Sequence, residues 1–391
     1  MARYPGRIRL SCPQGLAKPL VPMDARVARM FRVRLIESAM PTGSRDPDVL
    51  LAWLLNSMGL VRRKSEGYTI EDDQGALHRM MGLTFLAEPL RGWDAKSISD
   101  VSGLSQTGVH HQLVKLRESG LVATQTDDRW HVYVLRGGSM SASMELISAQ
   151  AKVILDQRLS MLSTYVSESE ERMIVPSEEG EYDFRIEVAE PRASVEGDDS
   201  LDTLTRELGL NGERAKKGDG LSRTMLEELA GSGTAVSLLA LSEKFGESRS
   251  RVQRSIERMR AAGIVERVPM LERLAQDIYA GLMRQSDARG EDWLMTRGGL
   301  GRLNESVSKS LIMGVRKKSL DSDKVQDILK PVDLDTQRIL LNTLGGRMPY
   351  GIRMAGKDGA TVREGVMRRA ERTLRRMRTV AQRLDEALTG D

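Results

Sequence analysis

The chain has 391 residues, of which 40% are hydrophobic, 29% are charged and only 4% are aromatic, and its formal net charge is +4. This length predicts two or three domains, and the composition is that of a globular protein, which excludes a disordered or fibrous chain. A single cysteine, Cys12, excludes an internal disulfide framework and a metal site built from several thiolates, so we expect a reducing compartment.

The charges are unevenly distributed along the chain. Residues 1–34 carry eight Lys or Arg and one Asp, whereas residues 167–202 carry thirteen Asp or Glu and three Arg. If the acidic stretch is a solvated linker, the remainder has a net charge of +14. Such a basic body favours a polyanionic partner such as nucleic acid; charges that only keep the surface soluble are an equally open alternative.

The N-terminal segment is predicted to be an irregular arm followed by two helices. Four prolines and the lack of periodicity mark residues 1–23 as irregular. A first helix is expected over about 24–39. A second should run from Pro47 to Gly59, because Asp46 is a suitable N-cap and proline is favoured in the first turn.

The clearest predicted domain follows between residues 71 and 138. It contains three helices, of which the second ends at Gly103 and the third begins after its N-cap Ser105. Residues 121–135 alternate between apolar and polar side chains on both sides of an Asp-Asp pair, which is typical of a β-hairpin. Beyond it, residues 167–220 are predicted to be an acidic linker with at most one strand.

Two long helices carry apolar residues spaced alternately by three and four, the pattern of a helix that packs along one face. Each stripe is therefore either a core-packing face or a contact with a second subunit. The second helix also carries arginines on its other faces, so a basic helix that lies on nucleic acid is a further alternative for it. The stripes are Met144, Ile147, Ala151, Ile154, Arg158, Met161 and Tyr165 in the first helix, and Met367, Ala370, Leu374, Met377, Ala381, Leu384 and Leu388 in the second.

One eighteen-residue pattern occurs twice, at 105–122 and at 248–265, and the two stretches align without a gap. In each copy a short helix ends at a glycine, and a serine then caps the next helix. Apolar residues at i, i+4 and i+7 bury one face of that helix, so the opposite face points outward. A helix with this arrangement, and with polar and basic residues at its N-terminal end, has the form that enters a DNA major groove.

The candidate DNA-binding residues are the outward side chains of both helices and one arginine at the hairpin tip. Within this set, Arg249 and Gln253 are the best candidates for base contacts, because arginine suits guanine and glutamine suits adenine. Glu257 lies close enough to Arg254 for part of this surface to be paired within the helix. The full set is Gln106, Thr107, His110, His111, Lys115, Arg129, Arg249, Ser250, Gln253, Arg254 and Arg258.

The run LSQTGVHHQLVKLRESGLV resembles the recognition helix of winged helix-turn-helix regulators of the ArsR type. The matching residues are Ser105, Val109, His110, His111, Leu113, Leu116, Gly120, Leu121 and Val122. The resemblance implies a DNA-binding regulator with a β wing, and it covers under a third of the chain. Two features depart from it: no cysteine follows Cys12, so thiolate metal sensing is not expected, and the second copy has no returning strand after IVERV, so its wing should be reduced.

We expect neither an enzyme nor a cofactor. His110 and His111 are adjacent on a helix and point about 100° apart, so they cannot form an i, i+4 metal pair. The glycine-rich run at 298–303 lacks the phosphate-loop pattern. No Ser/His/Asp or Cys/His combination stands out.

Together these patterns predict a mainly α fold with small β wings, in which tandem winged helix-turn-helix domains are combined with long amphipathic helices. The expected function is sequence-specific binding of double-stranded DNA by a cytoplasmic, nucleoid-associated transcriptional regulator that forms a homodimer through those helices. No apolar run is long enough for a membrane span, so no membrane contact is expected.

The alternative is a winged-helix subunit with protein partners, architectural or interacting, in a chromosome-organising, replication or basal transcription complex. Both hypotheses share one division of the chain. Its segments are a basic arm (1–23), a helical segment that is a possible degenerate winged unit (24–70), a first winged domain (71–138), an amphipathic helix (139–166), the acidic linker (167–220), a second helix-turn-helix domain with a reduced wing (221–286), a helical region of undetermined fold (287–359) and a basic heptad helix (360–391).

Overall fold

A computed structural model describes residues 30–61, 75–127, 130–170, 183–192, 200–212 and 220–390. Over these ranges the fold is mainly helical and contains three two-stranded antiparallel sheets. None of the helices in these ranges is long and apolar enough to cross a membrane.

The elements fall into two series that have the same order, and the second series is interrupted by an insert. The helices are α1 (Pro47–Ser57), α2 (Ala76–Met80), α3 (Ala95–Ser102), α4 (Gln106–Glu118), α5 (Met140–Ser163), α6 (Ser200–Glu207), α7 (Leu221–Gly231), α8 (Leu238–Phe245), α9 (Arg249–Ala261), α10 (Leu271–Arg289), α11 (Glu291–Thr296), α12 (Glu305–Arg316), α13 (Ser322–Leu329), α14 (Leu334–Thr343) and α15 (Gly359–Thr389). The strands are β1 (Arg32–Ile36), β2 (Val122–Asp127), β3 (Trp130–Leu135), β4 (Arg185–Ala189), β5 (Val265–Pro269) and β6 (Tyr350–Met354).

Strand β1 lies where the sequence pattern predicts a helix over about 24–39, and that part of the prediction is wrong. Val33 and Leu35 are buried, whereas the arginines that alternate with them lie on the other face of the strand. β1 pairs antiparallel with β4, with Arg34 opposite Glu187. Period-two alternation and a distant partner strand therefore decide the structure here.

The first series builds a three-helix unit with a hairpin. Helix α2 continues through a π-helical turn, and Trp93 then pairs with Tyr133 as a one-residue third strand beside β3. Helix α3 begins at the N-cap Asp94 and ends at Gly103, whose φ of +68° suits glycine. Helix α4 and the β2–β3 hairpin follow, as the sequence predicts.

The second series repeats this order with α7, α8, α9, β5 and β6. Val236 pairs with Ile352 as Trp93 pairs with Tyr133 in the first unit. The expectation of a reduced wing without a returning strand is wrong, because β6 returns antiparallel to β5 with Val265 opposite Met354. The strand was missed because residues 270–349 are inserted between the two strands.

The insert has a hydrophobic core of its own, separate from the main core. Its helices α10 to α14 supply buried aliphatic side chains such as Ile278, Leu294, Leu311 and Leu341. The predicted boundary at residue 286 therefore falls inside α10, and the segment of undetermined fold begins earlier than expected, at Leu271.

The repeat also includes the elements that precede each three-helix unit. Strand β1 and helix α1 correspond to β4 and α6, and each helix ends in a Gly-Leu pair with positive φ at the glycine: +66° at Gly59 and +73° at Gly209. A Cβ on Gly59 would lie 2.7 Å from the Arg34 Cβ, and one on Gly209 would lie 2.6 Å from the Glu187 Cβ. Part of the predicted acidic linker is thus a structural counterpart of the N-terminal segment.

The long helices α5 and α15 end the two series and pack antiparallel against each other. Asp156 pairs with Arg363 at 2.7 Å, and the backbone N–H of Met140 donates to Asp385 at 3.0 Å. Most residues of both apolar stripes are buried, including Ile147 and Leu374, whereas Met161, Tyr165 and Leu388 are exposed. The buried part of both stripes packs within the chain, as the core-packing alternative predicts, and a homodimer through these helices stays a prediction.

Two antiparallel pairs of equivalent elements lead us to infer an approximate two-fold axis between the two series. Equivalent strands, β1 and β4, pair antiparallel, and so do the equivalent helices α5 and α15. An axis that passes through the middle of both pairs exchanges one repeat for the other. One continuous hydrophobic core spans both repeats, with side chains from Phe31 to Leu384.

Candidate nucleic-acid interface

Helix α4 is fixed along one face and exposed along the other. The Ser105 hydroxyl accepts a hydrogen bond from the Gly108 N–H at 3.2 Å and so caps the helix. Val109, Leu113 and Leu116 are at most 2% exposed. The predicted outward residues are all exposed to solvent: Gln106, Thr107, His110, His111 and Lys115.

Helix α9 is buried along the equivalent face, but the hydroxyl of its N-cap residue Ser248 makes no capping hydrogen bond, contrary to the prediction. Val252, Ile256 and Met259 are at most 2% exposed, and the buried hydroxyl of Ser255 lies 2.9 Å from that of Ser222 on α7. Side chains on the opposite face are exposed: Arg249, Ser250, Gln253 and Arg254.

Arg258 was predicted to contact DNA, but the structure gives it a partner within the fold. Its side chain is half-buried, and Nε donates to the backbone carbonyl of Leu210 at 2.7 Å. It therefore anchors α9 to the turn that follows α6, so we withdraw it as a base-contacting candidate. The position of Arg258 at the last turn of α9 gave no sign of this carbonyl, which lies 48 residues earlier.

Polar contacts within α9 hold its outward side chains in place. The Gln253 amide donates to Glu257 at 2.9 Å, and Arg254 Nε donates to the Ser250 carbonyl at 3.1 Å. Arg251 pairs with Glu247. Glu257 thus bonds to Gln253, whereas the sequence suggested a pair with Arg254. A base contact by Gln253 requires its amide to leave or share this bond.

The two hairpins differ in what they offer a duplex. Arg129, predicted at the tip of the first wing, lies outside the described residues. In the second hairpin the insert replaces the tip. The basic side chains of the hairpin strands have internal contacts: Arg353 pairs with Glu266 at 2.8 Å, and Arg267 stacks 3.7 Å from the ring centre of Tyr350.

One partly buried arginine on α9, Arg260, has a lowered pKa. Burial lowers the pKa of Arg260, and the positive charge of nearby Arg267 lowers it further. An arginine remains protonated despite such a shift. The helix therefore keeps its full positive charge at neutral pH.

A groove lies beside α9 and over the β1–β4 sheet, one of the two pairs through which the inferred axis passes, and we call it the axis groove. Its volume is about 1120 Å³. The outer face of the β1–β4 sheet forms one wall, and one flank of α9 forms another. Its charged lining residues are Arg32, Arg34, Glu37, Asp183, Arg185, Glu187, Arg206, Arg251, Arg254, Glu257 and Arg258.

Arg32 and Arg34, the β1 arginines of the sheet wall, were not predicted from the sequence to be site residues. The alternation Arg-Val-Arg-Leu-Ile at 32–36 is a strand signal that places both arginines on one face, but it was read as part of a helix. Glu187, only 5% exposed, accepts from Arg32 Nε at 2.6 Å and from Arg34 Nε at 3.0 Å. Nothing local in the sequence indicates that these three side chains meet.

Nine of the eleven predicted site residues are therefore exposed on two equivalent helices, while Arg258 is half-buried and Arg129 is outside the described residues. Comparison of the chain with protein-family models, curated proteins and solved structures found no match. The chemistry of the site itself is thus the basis for its interpretation.

Proposed function

We propose that the protein binds double-stranded DNA sequence-specifically, as a transcriptional regulator, and that its two repeats act as tandem winged helix-turn-helix units. Helices α4 and α9 would enter the major groove with their exposed faces. The observation that carries the proposal is the equivalence of these helices: each is buried by one apolar face, exposes the other, and is related to its counterpart by the internal axis.

The internal axis suggests how one chain would meet its target. Two-fold dimeric helix-turn-helix proteins bind two inverted half-sites whose centres are about 34–36 Å apart or multiples of that distance. Here the axis relates two halves of one chain, so we expect a single chain to occupy both half-sites. Because the exposed residues of α4 and α9 differ, the half-sites should differ in sequence.

The exposed side chains divide into two expected roles. Gln106 and Gln253 suit adenine, and Arg249 suits guanine, through paired hydrogen bonds to base edges. Lys115, one turn from the end of α4, is a point charge better suited to phosphate. Arg254 lies between the outward face of α9 and the axis groove.

The test is selection of binding sequences from a random duplex library, followed by fluorescence anisotropy on the selected duplex. Arg249→Ala and Gln106→Ala should each cost about 1–3 kcal/mol on that duplex and relax the preference at one position. Lys115→Ala should weaken binding to all sequences alike and lower the salt slope by about one. A stoichiometry of one chain per duplex is expected.

Lys309→Ala is the matched control, since this lysine is 69% exposed on α12 in the insert and pairs with Glu305 across one helical turn. Its loss removes the same charge without touching either exposed helix face. If Gln106→Ala/Arg249→Ala leaves affinity for the selected duplex unchanged at moderate salt, the proposal is wrong.

A second candidate is an interaction or architectural subunit, and one observation favours it. In the second repeat the wing tip is replaced by a separately packed helical insert that exposes apolar side chains such as Met295, Met313 and Ile339. A gel shift with random duplex, followed by pull-down, separates the two functions. Stable protein partners combined with no duplex binding would favour this candidate.

A further inference from the structure

Seven arginines and four carboxylates line the axis groove, which is a formal excess of three positive charges among the lining side chains. Arg206 and Arg251 also pair with Asp202 and Glu247, which lie outside the lining. Two of the carboxylates are already held by arginines. Glu187 is held by Arg32 and Arg34, and Glu37 accepts from Arg376 of α15 at 2.8 Å and from the neighbouring Arg372. Like charges gathered around one concavity repel each other, and such a concavity concentrates anions.

The arginines converge from segments that are distant in sequence. Arg32 and Arg34 come from the outer face of β1, Arg185 from β4 and Arg206 from α6. Arg32 is half exposed although Glu187 holds its Nε and one Nη. A guanidinium has five N–H donors in a planar fork that matches phosphate oxygens. Internal bonds of this kind orient the forks in advance, which lowers the entropy lost on binding.

The size of the groove distinguishes a small anion from a duplex. A volume of 1120 Å³ is that of a cube about 10 Å on a side. The major groove of DNA alone is about 12 Å wide, so a duplex is too wide to enter. Ligand sites typically span about 300–1,000 Å³. The axis groove is slightly larger than this, so it accommodates a molecule of nucleotide size.

We propose that the axis groove binds a small molecule carrying two or more phosphate groups. Apolar lining residues, among them Ile36, Val61 and Ala261, would contact its organic part. Arg254 also belongs to the outward face of α9, so bound ligand withdraws this side chain from the duplex. This second step rests on the proposed function; binding of the ligand itself does not.

The test is isothermal titration calorimetry of the full chain with inorganic pyrophosphate and with ATP, without DNA, and with adenosine as the uncharged probe. Pyrophosphate and ATP should bind, and adenosine alone should not. Arg185→Gln/Arg206→Gln, at two exposed positions, should weaken pyrophosphate binding at least about tenfold. The control Arg368→Gln/Arg375→Gln removes the same charge from exposed positions of α15 outside the groove and should change affinity less than twofold.

Absence of binding by both anions at millimolar concentration overturns the proposal, and so does equal weakening by the two double variants. Loss of duplex affinity in Arg185→Gln/Arg206→Gln without pyrophosphate binding would assign the groove to DNA and also overturn it. In a second stage, saturating pyrophosphate should weaken duplex binding at constant ionic strength. If the chain binds pyrophosphate but no duplex, the ligand proposal for the axis groove is supported and the proposed function is refuted.

Discussion

Arg158 interrupts the apolar stripe of α5 and pairs with Glu207 of the second repeat. The contribution of this ion pair to the free energy of unfolding can be tested quantitatively. Its Nη1 donates to Glu207 on α6 at 2.9 Å, and the two side chains are 7% and 4% exposed. Glu207 also accepts from the backbone N–H of Arg192 at 3.3 Å, whereas Arg158 Nε has no hydrogen-bond partner among the described residues. The pair is thus buried and incompletely satisfied.

Breaking this pair from one side should cost about 3–5 kcal/mol of unfolding free energy, because a charge is left buried without compensation. Glu207→Leu should be the more severe change, since a guanidinium cannot release its proton.

The double variant Arg158→Met/Glu207→Leu replaces the pair with apolar side chains. It should be neutral, or more stable than the natural chain by up to about 4 kcal/mol. Urea denaturation followed by tryptophan fluorescence measures this, in a Trp293→Phe background that removes the signal of the insert. Asp202→Ala, which breaks the exposed Arg206 pair, is the control and should cost at most about 1 kcal/mol. Single variants that cost no more than this control, or a double variant as unstable as the singles, would refute the reasoning.

Three further predictions concern the repeats and the insert. Gly209→Ala should destabilise the protein more than Gly103→Ala in thermal denaturation. Both glycines have positive φ, which costs an alanine about 1–2 kcal/mol, but only at Gly209 would the new Cβ meet a neighbour, the Glu187 Cβ at 2.6 Å. Equal losses of stability in the two variants would contradict this. Asp94→Ala should cost about 0.5–2 kcal/mol at pH 7. Hydrogen bonds from Ser97 lower the pKa of Asp94. The stability that Asp94 contributes is therefore present above the unfolded pKa of about 3.9 and disappears as pH falls through the folded pKa. Urea titrations should show that the difference in unfolding free energy between the natural chain and Asp94→Ala is smaller at pH 3 than at pH 7. Replacing residues 270–349 with Asn-Gly should leave the main core folded, because Pro269 and Tyr350 are paired; loss of the cooperative thermal transition would contradict this.

The sequence was informative where the determinants are local. Both exposed helices were predicted to within about one residue, because a left-handed glycine, a serine cap and apolar residues at i, i+4 and i+7 are all contained in one short stretch. The hairpin β2–β3 has a two-residue connection, so its alternation is also continuous in sequence. For such elements, local preference and tertiary structure agree.

The sequence failed where a partner is distant. β6 follows β5 after the whole insert, and no short-range signal connects them. β1 was assigned to a helix because its partner strand β4 lies in a segment whose acidic composition suggested a linker. The axis groove was missed for the same reason, since its arginines meet only after both repeats have packed.

The close approach of Pro269 and Tyr350 has a consequence for the order of folding. Bringing together the ends of a flexible loop of about 80 residues costs roughly 4 kcal/mol of entropy, beyond a constant term. If the insert collapses first around its own leucine-rich centre, it holds those ends side by side and removes that barrier before β5 meets β6. The insert that separates the two strands in the sequence would then act as a template for their pairing, and unfolding of the insert should loosen the adjacent three-helix unit.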